Sequence, residues 1–225
     1  MNKTIVAKSA AFAIALCGLT SGQRAAALTL VENLSATSAG NTFVTTSGLL
    51  ASPFVTGTTR YNLDSVTLPF RERLAGTGLV VSLYSDNSNQ PGAPLSVLTN
   101  PGTLPSTFAP TTFSLATPQA LATNAKYWIV AGVAPTGTAQ YEWEFTISTS
   151  FTGLTGWSIA DEFIVSGNSG VSWGAISTGP QQFSVNGSPV PPPSAPAVPG
   201  PLPILGAAAC WRFSRKLRAA TKAHR

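Results

Sequence analysis

Turn-forming residues interrupt this chain roughly every ten residues, and Gly, Pro, Ser, Thr and Asn supply nearly all of the interruptions. Charged residues make up only 9% of the sequence, so Lys, Glu and Arg are too few to cover the polar face of an amphipathic helix. Short extended segments are what remain. The clearest are Val66 to Phe70, Gly78 to Tyr84, Tyr127 to Ala131 and Tyr141 to Ile147. In the last, Tyr141, Trp143, Phe145 and Ile147 alternate with Glu142, Glu144 and Thr146, the period-2 pattern expected of one buried and one wet face. Leu79-Val80-Val81 and Trp128-Ile129-Val130-Ala131 are apolar at successive positions, which predicts strands covered on both sides. Turns are expected at 86–92 and 167–170. Strands at this spacing without helices between them predict an all-β fold, an antiparallel β-sandwich of jelly-roll-like form. No repeat of fixed period points to a propeller or a solenoid.

Charge divides the 225-residue chain into parts. The formal total is +5, yet Lys3, Lys8 and Arg24 lie at the front and Arg212, Arg215, Lys216, Arg218, Lys222 and Arg225 at the end. Between them stand four bases, Arg60, Arg71, Arg73 and Lys126, against all eight acids, a net charge of −4. The basic residues therefore cannot form one folded phosphate-binding face, and nucleic acid is not an expected partner.

Both ends read as transport signals. Lys3 and Lys8 precede an apolar stretch from Ser9 to Leu19, and Ala25-Ala26-Ala27 has the small-residue pattern of a secretory cleavage site. Cys17 could accept a lipid, but Leu16 before it is larger than lipid-modifying signals favour, and the alanine site competes with it. At the other end, a proline-rich run leads into an apolar segment and then the basic cluster. Its ~12 apolar residues would span about 18 Å as a helix, short of the ~30 Å hydrocarbon core. This favours transient membrane association and processing over permanent anchorage, with the basic end retained in the cytoplasm. The expected organisation is a signal peptide at 1–27, a β-sandwich at 28–185, an extended proline-rich spacer at 186–201, and a sorting segment at 202–225. The expected location is extracellular or at the cell surface. Cys17 and Cys210 both fall outside the body, which excludes a disulfide framework there.

Two resemblances add to this reading. Val198-Pro-Gly-Pro-Leu-Pro203, the apolar segment after it, and Trp211-Arg-Phe-Ser-Arg-Lys-Leu-Arg218 resemble the PEP-CTERM type of sorting signal, in the variant seen in cyanobacteria. The resemblance implies export machinery and an exosortase-type membrane protease as partners, with Pro199, Gly200, Pro201, Pro203, Arg215, Lys216 and Arg218 as signal residues. Within the body, the segments 83–92, 121–130 and 167–173 resemble the choice-of-anchor domains, most closely type R, over roughly residues 40 to 185. That resemblance implies an exported, sorted domain and carries no catalytic residues with it.

Chemistry in the body is limited by its composition. The one histidine, His224, lies in the tail, so histidine-dependent nucleophile and zinc machinery is absent from the body. Glu142 and Glu144 share a strand face with Cβ atoms ~7 Å apart. Glycosidase carboxylates flank a bond from opposite sides, so this pair reads as a solvated face rather than a catalytic dyad. Asp161-Glu162 is a weaker pair still. Asp86, Asn87 and Asn89 present oxygen ligands within one loop, which a calcium ion could use or which could simply build a turn. Sugar-binding sandwiches use exposed aromatic faces. Trp128 and Trp143 belong to strand-like contexts and are expected in the core, whereas Trp157 and Trp173 flank glycine-rich turns and are the candidate carbohydrate platforms. The function this supports is a non-enzymatic, structural or polysaccharide-associated protein of the cell surface or extracellular matrix. The alternatives are a lectin-like module and, more remotely, a carboxylate-based glycan hydrolase.

Overall fold

The computed structural model describes residues 27–190. The expected signal peptide, the proline-rich run beyond Val190, and the sorting residues Pro199, Gly200, Pro201, Pro203, Arg215, Lys216 and Arg218 lie outside them.

Thirteen strands make up the described part: β1 (Leu28–Glu32), β2 (Gly40–Val44), β3 (Leu49–Val55), β4 (Tyr61–Leu74), β5 (Leu79–Asp86), β6 (Pro91–Leu98), β7 (Ala109–Ala120), β8 (Lys126–Val133), β9 (Gln140–Phe145), β10 (Thr152–Gly153), β11 (Ser158–Ile159), β12 (Ile164–Ser166) and β13 (Ser184–Pro189). They form two antiparallel sheets. At the centre of the first, β2, β9, β4 and β7 lie side by side; in the second the order is β3, β8, β5, β6. Among the eight strands β2 to β9, successive strands thus cross from sheet to sheet, with only the β5–β6 hairpin staying in one, which is the wiring of a jelly roll. The expected all-β sandwich is the observed fold.

The remaining strands extend this frame. β1 and β13 add to the first sheet beside β4, with β10 outside them, and β11 and β12 line the free edge of β3. The pairing of β1 with β13 sets Leu28 opposite Gly187, so strand structure continues to Pro189, past the expected boundary of 185. Asn186 to Pro189 are strand and not spacer, because β1 needs a ladder partner for its backbone groups. Beside them, Asn33 closes the join. Its side chain donates to the Gln181 carbonyl (3.1 Å) and accepts from the Phe183 N–H (2.7 Å).

The core lies between the sheets. Leu63, Val66, Leu68, Phe70, Tyr141 and Trp143 project from the first sheet, and Leu50, Phe54, Val81, Leu83, Tyr127 and Ile129 from the second. The apolar run of β8 is covered on both sides, as expected, with Trp128 and Ile129 both fully buried. β9 departs from expectation. Its second face is not wet: Glu142 is 2% exposed, and the strand stops at Phe145, leaving Ile147 in solvent. β9 has β2 and β4 on its two edges, and long side chains from these neighbours close over its outer face.

Two outcomes test this packing. A Cβ at Gly187 would fall on the Asn62 carbonyl oxygen and come within 2.7 Å of Leu30 Cδ1, so little can yield there. Gly187→Ala is expected to cost about 1–3 kcal/mol, seen as a lower urea midpoint at unchanged slope. Tyr141 stacks on Phe70 with ring centroids 5.6 Å apart, and burial, followed by the nearby Glu72 carboxylate, raises its phenol above the ordinary 10.0. In alkali the unfolded chain gives up this proton before the fold does. Stability is therefore complete below pH ~10 and is lost as pH rises through the folded value. Denaturation across about pH 9 to 11 should show this limb, flattened in Tyr141→Phe.

Candidate functional site

The outer face of the second sheet is where the sequence candidates meet. In β8 the residues with even numbers point outward, and Trp128 stands at the middle of that face, packed with Ala51, Val130 and Ile164. Its indole N–H donates to Asp86 Oδ1 at 2.8 Å, and the Lys126 ammonium sits 4.7 Å above its ring. Lys126 in turn pairs with Glu162 and with Asn89 Oδ1.

The hairpin 86–92 is a turn of defined geometry. Asn87 and Gln90 exchange backbone hydrogen bonds, and the two residues between them, Ser88 and Asn89, have φ of 53° and 65°. Positive φ at both central positions is the type I′ turn, whose twist matches the flanking strands. Asp86 Oδ2 accepts from the Asn89 N–H at 3.2 Å and braces the turn. All the engaged oxygens of Asp86 and Asn89 therefore serve the turn, Trp128 and Lys126. A calcium ion on Asn89 would have to displace the Lys126 ammonium from Oδ1. Among the described residues, no group of three or more His, Cys, Asp or Glu is gathered as a metal set.

Opposite the hairpin stands a loop held by one asparagine. Asn168 Oδ1 accepts from Ser166 Oγ and from the Ser172 N–H, both at 2.9 Å, while its amide donates to Ser172 Oγ at 2.8 Å. The loop presents Trp173, half-buried, with its inner edge packed against the Trp128 cluster. Between loop and hairpin lies a cavity of about 630 Å³, lined by Trp173, Ser172 and Gly170 on one side and by Ser85, Asp86, Asn87 and Gln90 on the other. An apolar groove of about 240 Å³ adjoins it, floored by Val80, Tyr84 and Val130.

The structure thus brings together Trp173, Asp86 and Asn87, and turns Asn89 away towards Glu162 Oε2, to which its amide donates. Trp157 is elsewhere. It is 4% exposed, stacked on Phe54 at 6.0 Å with Tyr61 edge-on, and so is a core residue and not a platform. Glycine-rich turns flank both tryptophans; what differs is that β11 carries the chain beside Trp157 along β3, which swings the ring under the sheet edge.

The glutamate pair also resolves differently from expectation. Register places Arg71 opposite Glu142, and Glu142 is ion-paired with both Arg71 and Arg73. Phe108 lies 4.5 Å from the Arg71 guanidinium and Phe43 lies 5.5 Å from that of Arg73. Glu142 is a buried counter-ion, while Glu144 stays half-buried without an ion pair among the described residues. Asp161 is likewise occupied, accepting from the Gly179 N–H at 2.9 Å. The residues that sequence reasoning missed, Lys126 with Glu162 and Arg71 with Glu142, are long-range pairs; the alternation Arg71-x-Arg73 against Glu142-x-Glu144 was the available signal for one of them.

The fold and pocket together define a jelly-roll sandwich with a preformed cavity on its outer face. No protein-family model matches the chain, and no curated protein matches it.

Removing a partner from the glutamate should separate its two arginines. Arg71→Met leaves a buried carboxylate short of its main counter-ion, with an expected cost of about 3 kcal/mol. Arg73 is half exposed, so Arg73→Met should cost less than about 1 kcal/mol. Equal losses in urea denaturation would contradict this assignment.

Proposed function

We propose that this chain is an exported, non-catalytic β-sandwich of the cell surface or extracellular matrix that associates with polysaccharide through the cavity beside Trp173. The observation that carries the reading is the pairing of a half-exposed indole with carboxamide, carboxylate and hydroxyl groups across one preformed cavity. Sugars are bound in this manner, an aromatic face against the ring and polar groups around its hydroxyls. The loop carrying Trp173 is already braced by Asn168, so little ordering is lost on binding.

Export is supported by the charge partition, an acidic body between two basic ends. On this reading the partners are export machinery and an exosortase-type protease, with transient membrane association through the tail and no nucleic acid. Support for a non-catalytic role is chemical: Glu142 is neutralised by arginines rather than poised for proton transfer. The second reading, a dedicated lectin-like module, is favoured by the same braced loop and differs in requiring a discrete oligosaccharide specificity.

Two measurements check this. On a glycan array, Trp173→Ala is expected to weaken binding about two- to tenfold, in keeping with the ~0.5–1.5 kcal/mol of an aromatic stack, with folding intact. A flat response across all glycans would leave a purely structural role. Mass spectrometry of the protein recovered from its host should find an N-terminus at Leu28 and loss of the segment after the proline run. An intact chain in the cytosol would overturn the export reading.

A further inference from the structure

At one end of the sandwich, away from Trp173, a second cavity of about 510 Å³ opens between the sheets. Its lining includes Glu72, Tyr141, Leu79 and Asn100, with the glycine-containing turns 76–78 and 101–104 around the mouth. Glu72 lies directly opposite Tyr141 in the β4–β9 ladder, on the same side of the sheet as Phe70. Its carboxylate thus points towards the gap between the sheets rather than to the arginine face outside.

Three features of this cavity point to a ligand. First, Tyr141 is 2% exposed, yet its hydroxyl has no hydrogen-bond partner among the described residues. The same hydroxyl is not a sealed orphan, since no buried side-chain polar atom lacks a partner; it opens onto the cavity. A buried phenol ordinarily finds a partner, so an open one at a cavity floor is a contact in waiting. Second, Glu72 is the one charged residue in the lining and forms no ion pair among the described residues. The basic residues flanking it in β4, Arg71 and Arg73, are paired with Glu142 on the opposite face. Third, Asn100 spends its amide nitrogen on the Leu79 carbonyl at 2.9 Å, which leaves its side-chain oxygen as an acceptor.

The geometry points to a binding site for a small ligand presenting a primary ammonium group, with Glu72 as counter-ion and Tyr141 Oη and Asn100 Oδ1 as acceptors. An ammonium has three donors and no acceptor, which matches a carboxylate, a phenol oxygen and an amide oxygen. An anionic group would meet Glu72 with nothing to offset it. The volume suits a ligand of about monosaccharide size. This site is independent of the Trp173 cavity and stands or falls separately.

The test is a titration of the 15N-labelled full chain, followed by NMR, with D-glucosamine and with D-glucose as its uncharged counterpart, at a pH where the amine is protonated. Glucosamine is expected to give saturable shifts at the amides of Gly76, Gly78, Gly102 and Thr103, and glucose to bind at least tenfold more weakly. Glu72→Gln should reduce glucosamine affinity by tenfold or more. Tyr141→Phe should reduce it several-fold while the neutral-pH melting temperature is kept, because the hydroxyl it removes makes no bond among the described residues. Equal response to glucose and glucosamine, shifts confined to Gly170–Trp173, or indifference to Glu72→Gln would each overturn the assignment.

Discussion

One indole on the outside of a sheet organises the functional face of this protein. Trp128 has no place in the core between the sheets, since its strand neighbours Tyr127 and Ile129 occupy that side. It would be a large exposed aromatic if nothing covered it. The chain after β11 runs back along the edge of β3 and lays Ile164 and Trp173 against it, while Lys126 covers the ring from a third direction. Burying an indole leaves its N–H in need of an acceptor, and Asp86 supplies one at the base of the β5–β6 hairpin. Hairpin and loop are therefore both tied to the same side chain, and the cavity between them exists because of that tie.

The first sheet solves a related problem by other means. β9 has partners on both edges, and the outer surface of such a central strand cannot be reached by water once long side chains from β4 fold over it. Glu142 is thus removed from solvent, at a cost that two guanidinium groups offset. Phe43 and Phe108 complete the layer by lying against those guanidinium groups. The sandwich consequently has three layers of packing rather than one, a central apolar core and a thinner cover on each outer face. In a body without disulfides, this second source of burial adds to what the core contributes.

Much of this was legible in the residues. The turn spacing and the poverty of charge gave the all-β class, and the uninterrupted apolar run at 128–131 marked a strand covered on both sides. The hairpin at 86–92 was readable from its own composition. The glutamate face was misread because alternation reports only that two faces differ in polarity, and an ion-paired face alternates just as a wet one does. The tryptophans were ambiguous for a different reason. Trp157 and Trp173 have similar neighbours in sequence, but one precedes a two-residue strand on the edge of β3 and the other follows the Asn168 loop. Local composition does not contain the direction in which the chain re-enters the sheet.

By itself, then, the sequence determined strand character, turn positions and the separation of an acidic body from basic ends, because these depend on local sterics, periodicity and charge. Only the tertiary structure decided which outer faces were covered, that Arg71 meets Glu142, that Lys126 meets Glu162, and that β13 returns to pair with β1. Those outcomes depend on the register between strands far apart in the chain. A shift of one residue would reverse every inward and outward side chain, and that choice is made by the packing of the whole sandwich.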